Sequence, residues 1–266
     1  MITTTYQTLA VDTDGRGVTR VTLNRPDVMN AFDETMIAEL TEVFEQAGAA
    51  PSTRIIVLAA AGKAFSAGAD LRWMERASTN SEQANLEDAR RFAGMMHVLQ
   101  ACPKPVIARV DGAAFGGGVG LCCACDIVIA STRAKFTVSE AKFGILPSVI
   151  GPYLVNAVGK RHALRLALTA EPIDAARAVE IGLVHELAEA GQLDATVDRI
   201  ITSLLANGPQ ALAEVKQWFG QLHVGPIDEA VRERSAGTIA RVRCTGEARE
   251  GFAAFLGKRS AAWVQA

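Results

Sequence analysis

Long apolar runs and clusters of like charge are both missing from this 266-residue chain. No stretch reaches the roughly 20 apolar residues that a membrane-spanning helix needs, and the longest candidate, 121–130, is interrupted by Asp126. Lysine and arginine total 27 against 29 acidic residues, a formal net charge of −2, and no basic run stands out. These absences predict a protein that neither enters a membrane nor binds nucleic acid.

Cysteine is scarce, and its spacing carries little metal or redox signal. Three of the five cysteines crowd together at Cys122, Cys123 and Cys125. Cys122 and Cys125 form a lone C-x-x-C, but no second Cys or His pair follows at the spacing of a zinc site. We therefore predict buried free thiols, no metal and no bound cofactor. The amino terminus has no basic region followed by an apolar stretch, which predicts a cytoplasmic location.

Buried strands and amphipathic helices alternate in the first half of the chain. Strand-like segments cover 18–23, 55–59, 106–110 and 126–130, and helix-like apolar spacing covers 33–48 and 86–99. Strand, helix and strand in series predict an α/β fold with parallel pairing. Beyond Gly191 the spacing is helical throughout. We predict a core over residues 1–191 and, over 192–266, a helical region that is a small second domain or an oligomerisation element.

Two segments, 55–71 and 105–121, share one design: a buried strand, a glycine-rich turn and the predicted start of a helix. The first helix begins in this prediction at the Ala-Gly-Ala-Asp sequence, 67–70. The first N–H groups of a helix are unpaired and favour anions. Two such turns can direct two N–H donors at one oxygen, as a developing oxyanion requires. For either turn alone, glycines that serve only close helix packing are an equal alternative.

Other motif classes fit these turns less well. Neither turn matches a P-loop, and the glycines at 116–120 do not match the dinucleotide-binding fingerprint. A serine hydrolase is the sharpest competing enzyme class, because Ser66 lies in a near match to the G-x-S-x-G nucleophile elbow and His185 could complete a triad. Ala64 stands where that motif has its first glycine, so we rank the hydrolase well below the oxyanion hole.

Taken in order along nearly the whole chain, these motifs resemble the enoyl-CoA hydratase/isomerase (crotonase) superfamily. The matching segments are Asn24-Arg25-Pro26, Asn30-Ala31, 65–71, 111–118, Cys125-Asp126, 136–140, 144–147, 158–159, 168–169, 178–184 and 250–259. The resemblance implies an α/β fold, a crotonase spiral of ββα units followed by a C-terminal helical trimerisation region. It also implies a homo-oligomer, either a trimer or a dimer of trimers, and coenzyme A as part of the substrate.

The resemblance implies site residues as well. The oxyanion hole would be formed by the backbone N–H groups of Ala67 and Gly117. The implied substrate and coenzyme A contacts are Ala67, Gly68, Ala69, Asp70, Gly117, Arg25, Lys63, Phe255 and Lys258. In relatives the C-terminal Phe and Lys reach a neighbouring subunit's nucleotide, while Arg25 and Lys63 are candidates for the phosphates.

The acid/base residues depart from the family pattern. Hydratases of the family carry two glutamates, but here the first position is Gly120 and only the second, Glu140, is kept. One base is enough to move a proton between C2 and C4, so the residues alone fit a Δ3,Δ2-enoyl-CoA isomerase. Hydration also needs a group that orients and activates water, a task that the missing carboxylate usually shares.

The segments 115–126 and 139–153 are most similar to one branch of the superfamily, the 3-methylglutaconyl-CoA and carboxygeranoyl-CoA hydratases of leucine and acyclic-terpene breakdown. We therefore rank hydration of a branched 2-enoyl-CoA first, with Glu140 as acid/base. Isomerisation by the single glutamate ranks second, and an inactive acyl-CoA-binding or scaffold protein ranks third. A carboxylated acyl group would favour a cationic partner. Arg72, Arg76 and Lys142 lie near the motifs, but each reads as a solvated surface charge.

Overall fold

Two sheets organise the computed structural model, which describes residues 5–189 and 191–264. One has six strands in the order β1-β2-β3-β5-β7-β10, and the other has four in the order β4-β6-β8-β9. The strands are β1 (Leu9–Thr13), β2 (Val18–Leu23), β3 (Ile55–Ala60), β4 (Ala64–Ser66), β5 (Val106–Val110), β6 (Ala113–Phe115), β7 (Ile127–Ser131), β8 (Lys135–Thr137), β9 (Ile173–Asp174) and β10 (Glu186–Ala188). Pairs β1–β2 and β8–β9 are antiparallel and the others are parallel.

Ten helices connect and flank these sheets within the described ranges. They are α1 (Glu34–Ala49), α2 (Leu71–Thr79), α3 (Glu82–Ala101), α4 (Gly117–Ala124), α5 (Gly151–Thr169), α6 (Ala175–Glu180), α7 (Leu193–Leu205), α8 (Pro209–Gly220), α9 (Glu229–Arg243) and α10 (Gly246–Leu256). Helix α5 is kinked at Gly159, whose φ of 73° is not helical. Two short 3-10 helices cover Pro26–Val28 and Glu140–Phe143.

The chain winds as a spiral in which each turn gives one strand to each sheet. Strands β3, β5 and β7 pair in the six-stranded sheet, and each is followed within a few residues by β4, β6 or β8 of the four-stranded sheet. Helices α2 and α4 begin directly after β4 and β6. The parallel pairing and the ββα spiral predicted from the sequence are both confirmed. The ends of β4, β6 and β8 therefore lie side by side, where the glycine turns meet.

Apolar residues on both faces of β3 explain its unbroken apolar sequence. Ile56 and Leu58 pack into the main core, whereas Ile55 and Val57 face a second cluster. Helix α7 covers that second face through Leu193, Val197 and Ile201. By packing, α7 belongs to the core, so the projecting helical region begins at α8 rather than at residue 192.

The predicted elements appear with small shifts in their ends. Strands β2 and β5 have the predicted bounds, and α1 begins after Asp33, whose Oδ1 accepts a hydrogen bond from Met36 N at 3.0 Å. The helix predicted to begin at 67–70 begins instead at Leu71, because 67–70 is an extended turn that ends in the helix cap Asp70. Only the second half of α3 packs into the core, and Leu86 is 43% exposed.

Helices α8 to α10 project from the core, and Ala254 is the one buried residue that they contribute. Lys216 anchors α8, because its Nζ lies 2.6 Å from Asp126 Oδ2 and donates to Lys104 O at 2.8 Å. Among the residues described, no helix is both long and apolar enough to cross a membrane.

Candidate active site

A cavity of about 880 Å³ lies where the two glycine turns meet the segment 139–150. Most of its lining is apolar, and several of these residues come from α2, α3 and the loop before α5. The lining includes Phe32, Ala69, Trp73, Met74, Phe92, Gly117, Glu140, Phe143, Ile145 and Ile150. An apolar cavity with few polar groups is the usual form of a small-molecule site.

The two turns approach each other so closely that side chains would not fit between them. A Cβ placed on Gly68, whose φ is 86°, would lie 2.8 Å from Phe115 O and 3.4 Å from Gly117 N. A Cβ on Gly117 would lie 2.4 Å from the Phe32 ring. The glycines therefore agree with both alternatives drawn from the sequence. They permit close packing, and they also bring Gly117 N next to the first turn, as two N–H donors directed at one oxygen require.

Ala67 is not the free donor that the sequence predicted. Its N–H donates to Met29 O at 2.9 Å, so it is already paired. Two residues later, Ala69 forms a parallel bridge with Phe32, in which Phe32 N donates to Gly68 O and Asp70 N donates to Phe32 O. That bridge leaves the N–H of Ala69 without an acceptor in the described part of the chain. Ala69 thus replaces Ala67 as the candidate donor.

Gly117 meets the expectation for a free donor. It is the first residue of α4, so its N–H has no acceptor inside the helix. Its predecessor Gly116 has φ 49° and donates its own N–H to Thr137 O at 2.8 Å, which fixes the turn to β8. Ala69 and Gly117 both line the cavity. Two unpaired N–H groups from adjacent turns therefore border one space.

Glu140 stands next to these donors. Its Oε1 lies 3.2 Å from the point that a Cβ on Gly116 would occupy. Its Oε2 is buried and has no hydrogen-bond partner within the described residues. Burial raises the pKa of the Glu140 carboxyl, while hydrogen bonds from the backbone N–H groups of Glu140 and Ser139 offset part of that rise. The structure thus places a carboxyl with a raised pKa beside the two turns, at the position for which the sequence predicted the acid/base residue.

Gly120 faces an apolar side chain where the family pattern has a second carboxylate. A Cβ on Gly120 would lie 2.3 Å from Ile150 Cγ2 and 3.4 Å from Met96 Cε. Ile150 is 1% exposed and lines the cavity. The space beside position 120 is therefore filled, and the sequence offered no local sign that Ile150, thirty residues later, fills it.

Arg25 and Asp70 support the site rather than present free charges to it. Arg25 donates to Ala31 O at 2.6 Å, and its Nη2 lies 3.1 Å from carboxylate oxygens of Asp33 and Asp70. Burial raises the pKa of Asp70, but the hydrogen bond from Arg72 N and the charge of Arg25 outweigh it and lower the pKa overall. Arg25 lines the cavity but is already neutralised, which weakens the expectation that it binds phosphate.

Three predicted coenzyme A contacts lie outside the cavity of this single chain. Lys63 is exposed and does not contribute to the cavity lining. Phe255 is 82% exposed near the end of α10, and Lys258 follows it with φ 50°. The role of Lys63 toward the phosphates stays a prediction, and so does the role of Phe255 and Lys258 toward a neighbouring subunit's nucleotide.

Ser66 is a structural residue, which removes the basis for the serine hydrolase alternative. It is fully buried, and its Oγ donates to Asn30 O at 2.8 Å and accepts from Gly68 N at 3.2 Å. His185 is bound elsewhere, since its Nδ1 accepts from Val128 N at 3.0 Å. Neither residue lines the cavity.

The cysteines are free thiols, as predicted, and Cys122 and Cys125 are buried. Burial raises the pKa of both thiols well above its usual value, which makes them poor nucleophiles and ligands. Among the residues described, no group of His, Cys, Asp or Glu side chains could hold a metal ion.

Comparison with known proteins agrees with this geometry. A family model described as enoyl-CoA hydratase/isomerase matches residues 13–266. An enoyl-CoA hydratase from Shewanella pealeana is 43% identical, with a TM-score of 0.93 over 97% of this chain and 96% of that chain. An enoyl-CoA hydratase from Mycobacterium smegmatis is 34% identical, with a TM-score of 0.90 over 97% and 99% of the two chains.

One curated relative carries the name of an isomerase. The 1,2-epoxyphenylacetyl-CoA isomerase of Escherichia coli is 32% identical over 252 residues, which cover 92% of this chain and 94% of that protein. Hydratases and isomerases are thus both similar to this chain over nearly its full length. From its sequence, its spiral fold and these likenesses, the protein belongs to the enoyl-CoA hydratase/isomerase family and is an enzyme of that family.

Proposed function

We propose that this enzyme hydrates a 2-enoyl-CoA that is branched at C3, with Glu140 as its single acid/base group. The observation that carries the proposal is the position of Glu140, a half-buried carboxyl with an unpartnered oxygen beside two unpaired N–H groups. That combination suits a reaction in which negative charge develops on one oxygen while a proton moves at a nearby carbon.

The N–H groups of Ala69 and Gly117 would hold the thioester carbonyl oxygen. Addition of water at C3 pushes the C2=C3 electron pair toward the carbonyl, so the oxygen becomes an enolate oxygen. Two preorganised donors stabilise it, and loss of one such donor typically costs about 100- to 1,000-fold in rate. In the same arrangement, the backbone of residues 67–70 would border the thioester, and Phe255 and Lys258 would contact coenzyme A bound to a neighbouring subunit.

One carboxylate can complete the hydration. Glu140 accepts a proton from water as the water oxygen bonds to C3, and the protonated Glu140 then delivers that proton to C2 of the enolate. The sum is addition of H and OH across the double bond, with Glu140 returned to its starting state. Both steps occur on the face of the substrate that Glu140 occupies, so we expect syn addition.

Isomerisation is the second candidate, and the apolar surface at Ile150 favours it. That surface supplies no second group to orient water. Glu140 would then take a proton from C2 of a 3-enoyl-CoA, which gives a dienolate held by the same donors, and return the proton to C4, which leaves the double bond between C2 and C3. The named activity of the Escherichia coli relative gives this candidate further support.

A panel of thioesters separates the two candidates. We expect loss of the conjugated enoyl absorbance with 3-methylglutaconyl-CoA and 3-methylcrotonyl-CoA. If neither compound nor crotonyl-CoA is hydrated while a 3-enoyl-CoA is converted to its 2-enoyl isomer, isomerisation replaces hydration as the function. If the enzyme binds acyl-CoA but exchanges no α-proton in deuterated water, both candidates are wrong.

The variant Glu140→Gln tests the role of the carboxyl. We expect its kcat to fall by about 100- to 10,000-fold, the usual contribution of a positioned acid/base group, while binding of a saturated acyl-CoA is kept. Glu180→Gln, an exposed glutamate of α6 that pairs with Arg177, is the matched control and should retain turnover. Full activity of Glu140→Gln would remove Glu140 from the mechanism.

A further inference from the structure

Gly120 and Ile150 share one space in the wall of the cavity. Gly120 lies inside α4, where glycine is less favourable than alanine, and its φ is not positive. Its backbone conformation therefore does not require glycine. A Cβ there would lie 2.3 Å from Ile150 Cγ2 and 2.9 Å from Ile150 Cβ, far inside van der Waals contact. The glycine is needed because Ile150 already fills the space.

Ile150 is also fixed relative to the reacting groups. It is 1% exposed, caps α5, and accepts a hydrogen bond from Leu154 N at 2.9 Å. Residues four apart lie on the same face of a helix, so Gly120 follows Gly116 along α4 on the side next to Glu140. Ile150 therefore approaches the cavity from the α4 side, near the acid/base group.

We propose that the pair Gly120 and Ile150 determines the acyl class: the Ile150 side chain replaces a second acid/base group with an apolar contact for an alkyl branch at C3. This inference rests on the proposed function. In the family pattern the carboxylate at position 120 shares the task of orienting the water that adds at C3, so the Ile150 side chain, which fills that space in the cavity wall, would contact the substituent at C3. A methyl branch gains contact there, whereas a linear chain leaves a gap that costs dispersion and hydrophobic energy.

Thermal unfolding without substrate tests whether Gly120 and Ile150 share one space. Gly120→Ala should lower Tm, because its Cβ collides with Ile150, and Ile150→Ala should lower Tm by leaving a cavity. We expect the double variant to be more stable than Gly120→Ala, since the second substitution removes the collision. Additive losses would show that the two residues do not share the space, and would overturn the proposal.

Acyl preference is tested by the ratio of kcat/KM for 3-methylcrotonyl-CoA over crotonyl-CoA. One methyl group in a hydrophobic pocket is typically worth about 10-fold or more, so Ile150→Ala should lower this ratio at least tenfold, mainly through the branched substrate. The matched control is Ile201→Ala, an equally buried isoleucine of α7 on the far face of the sheet. It should lower Tm and leave the ratio unchanged.

The outcomes distinguish this inference from the proposed function. An unchanged ratio in an active Ile150→Ala, or an equal change in Ile201→Ala, overturns the inference and leaves hydration standing. If the wild-type enzyme only isomerises, the same ratio is measured with 3-methyl-3-butenoyl-CoA and 3-butenoyl-CoA, and the same result is expected. If it converts no enoyl-CoA, the proposed function fails and the acyl preference fails with it, whatever the unfolding data show.

Discussion

Glu140 is held in surroundings that suit its neutral form better than its charged form. Half-burial raises its pKa, and its Oε2 receives no hydrogen bond from the described residues. A carboxylate in this state binds a proton more readily than one in water, which suits a group that accepts and returns a proton. The same feature that suits Glu140 for proton transfer should therefore cost the protein stability.

The pH dependence of turnover should show the raised pKa. If Glu140 acts first as a base, kcat/KM rises with pH through a single ionisation that lies above 4.5, the ordinary glutamate value. A pH–rate profile in constant ionic strength measures it. A rate that is flat from pH 4.5 upward would contradict the elevated pKa.

The conformational stability of the protein should fall, rather than rise, as pH increases through the pKa of Glu140. Because the folded pKa lies above the unfolded value, the stabilisation from protonated Glu140 is complete below the unfolded pKa and is lost as pH rises through the folded pKa. Glu140→Gln removes this loss. We expect it to have a higher Tm than the wild type at neutral pH and little advantage at pH 4, measured by thermal unfolding. A difference that is constant with pH would indicate another cause.

Asn30 organises the backbone under the first glycine turn. It is fully buried with φ 52°, its Oδ1 accepts from Arg25 N, and its Nδ2 donates to Ala61 O and Ala64 O at 2.8 and 2.9 Å. Asn30→Asp keeps the size but loses both donated bonds, and we expect it to lower the free energy of unfolding by about 3 kcal/mol. Denaturant unfolding measures this. Exposed Asn80→Asp, at the end of α2, is the control and should change little.

Among single residues, Glu140 and Gly117 line the cavity as expected from the sequence, whereas the N–H of Ala67 is paired and that of Ala69 is not. Which N–H is unpaired depends on the bridge between Ala69 and Phe32, a contact across 37 positions that no local pattern encodes. The same is true of Ile150, whose effect on position 120 exists only in the folded chain. Contacts between segments that are far apart in the sequence therefore determine which N–H is unpaired and what fills the space at position 120.

Helices and strands could be predicted where a local sequence pattern is long enough, and not where contacts with distant segments determine the structure. Strands β2, β3, β5 and β7 are long and apolar enough to be found from the sequence. Strands β4, β6 and β8 have three residues each, too few for a periodic pattern, so only the family resemblance, with its ββα units, pointed to a second strand in each turn of the spiral. The helix predicted at 67–70 is a turn because its N–H and C=O groups pair with residues 29 and 32.

One partly buried ion pair joins helix α8 to the core. Lys216 contacts Asp126, whose pKa is raised by burial against the opposing effect of the Lys216 charge. Lys216→Met would leave a buried carboxylate uncompensated, at a cost of about 2 kcal/mol or more at neutral pH. We expect that cost to shrink as acid protonates Asp126, because the folded pKa rises further in the variant. Unfolding at several pH values measures it.

The double variant Lys216→Met with Asp126→Asn is the control for this prediction. It removes both charges, so it should recover most of the stability at neutral pH and lose the pH dependence. If the single and double variants are equally unstable, the ion pair is not what holds α8.

Across the whole molecule, apolar side chains remain exposed on the projecting helices. Phe219 is 67% exposed, Phe252 58% and Leu256 79%. Such a surface is unusual for a monomer and typical of an interface. Together with the family membership, it predicts an assembly of three or six copies.

Light scattering of the purified protein should therefore give the mass of a trimer or a hexamer. Leu256→Asp, which places a charge in that surface, should weaken the assembly and raise KM for acyl-CoA, because Phe255 and Lys258 would leave the neighbouring site. Asp198→Asn, on the exposed side of α7, should change neither. A monomer with full activity would contradict both the assembly and the shared site.

The unpaired donors of Ala69 and Gly117 belong to the main chain, so no replacement other than proline removes the N–H itself. On the proposed function, the path of the backbone itself supplies the donors for the enolate oxygen, and they are present whenever the spiral folds. The surrounding side chains can then vary without loss of these donors. On our proposal, an exchange at position 120 that position 150 accommodates changes which acyl group the same backbone accepts. The fold thus preserves the two main-chain donors, while substitutions in the cavity wall can change which substrate the cavity accepts.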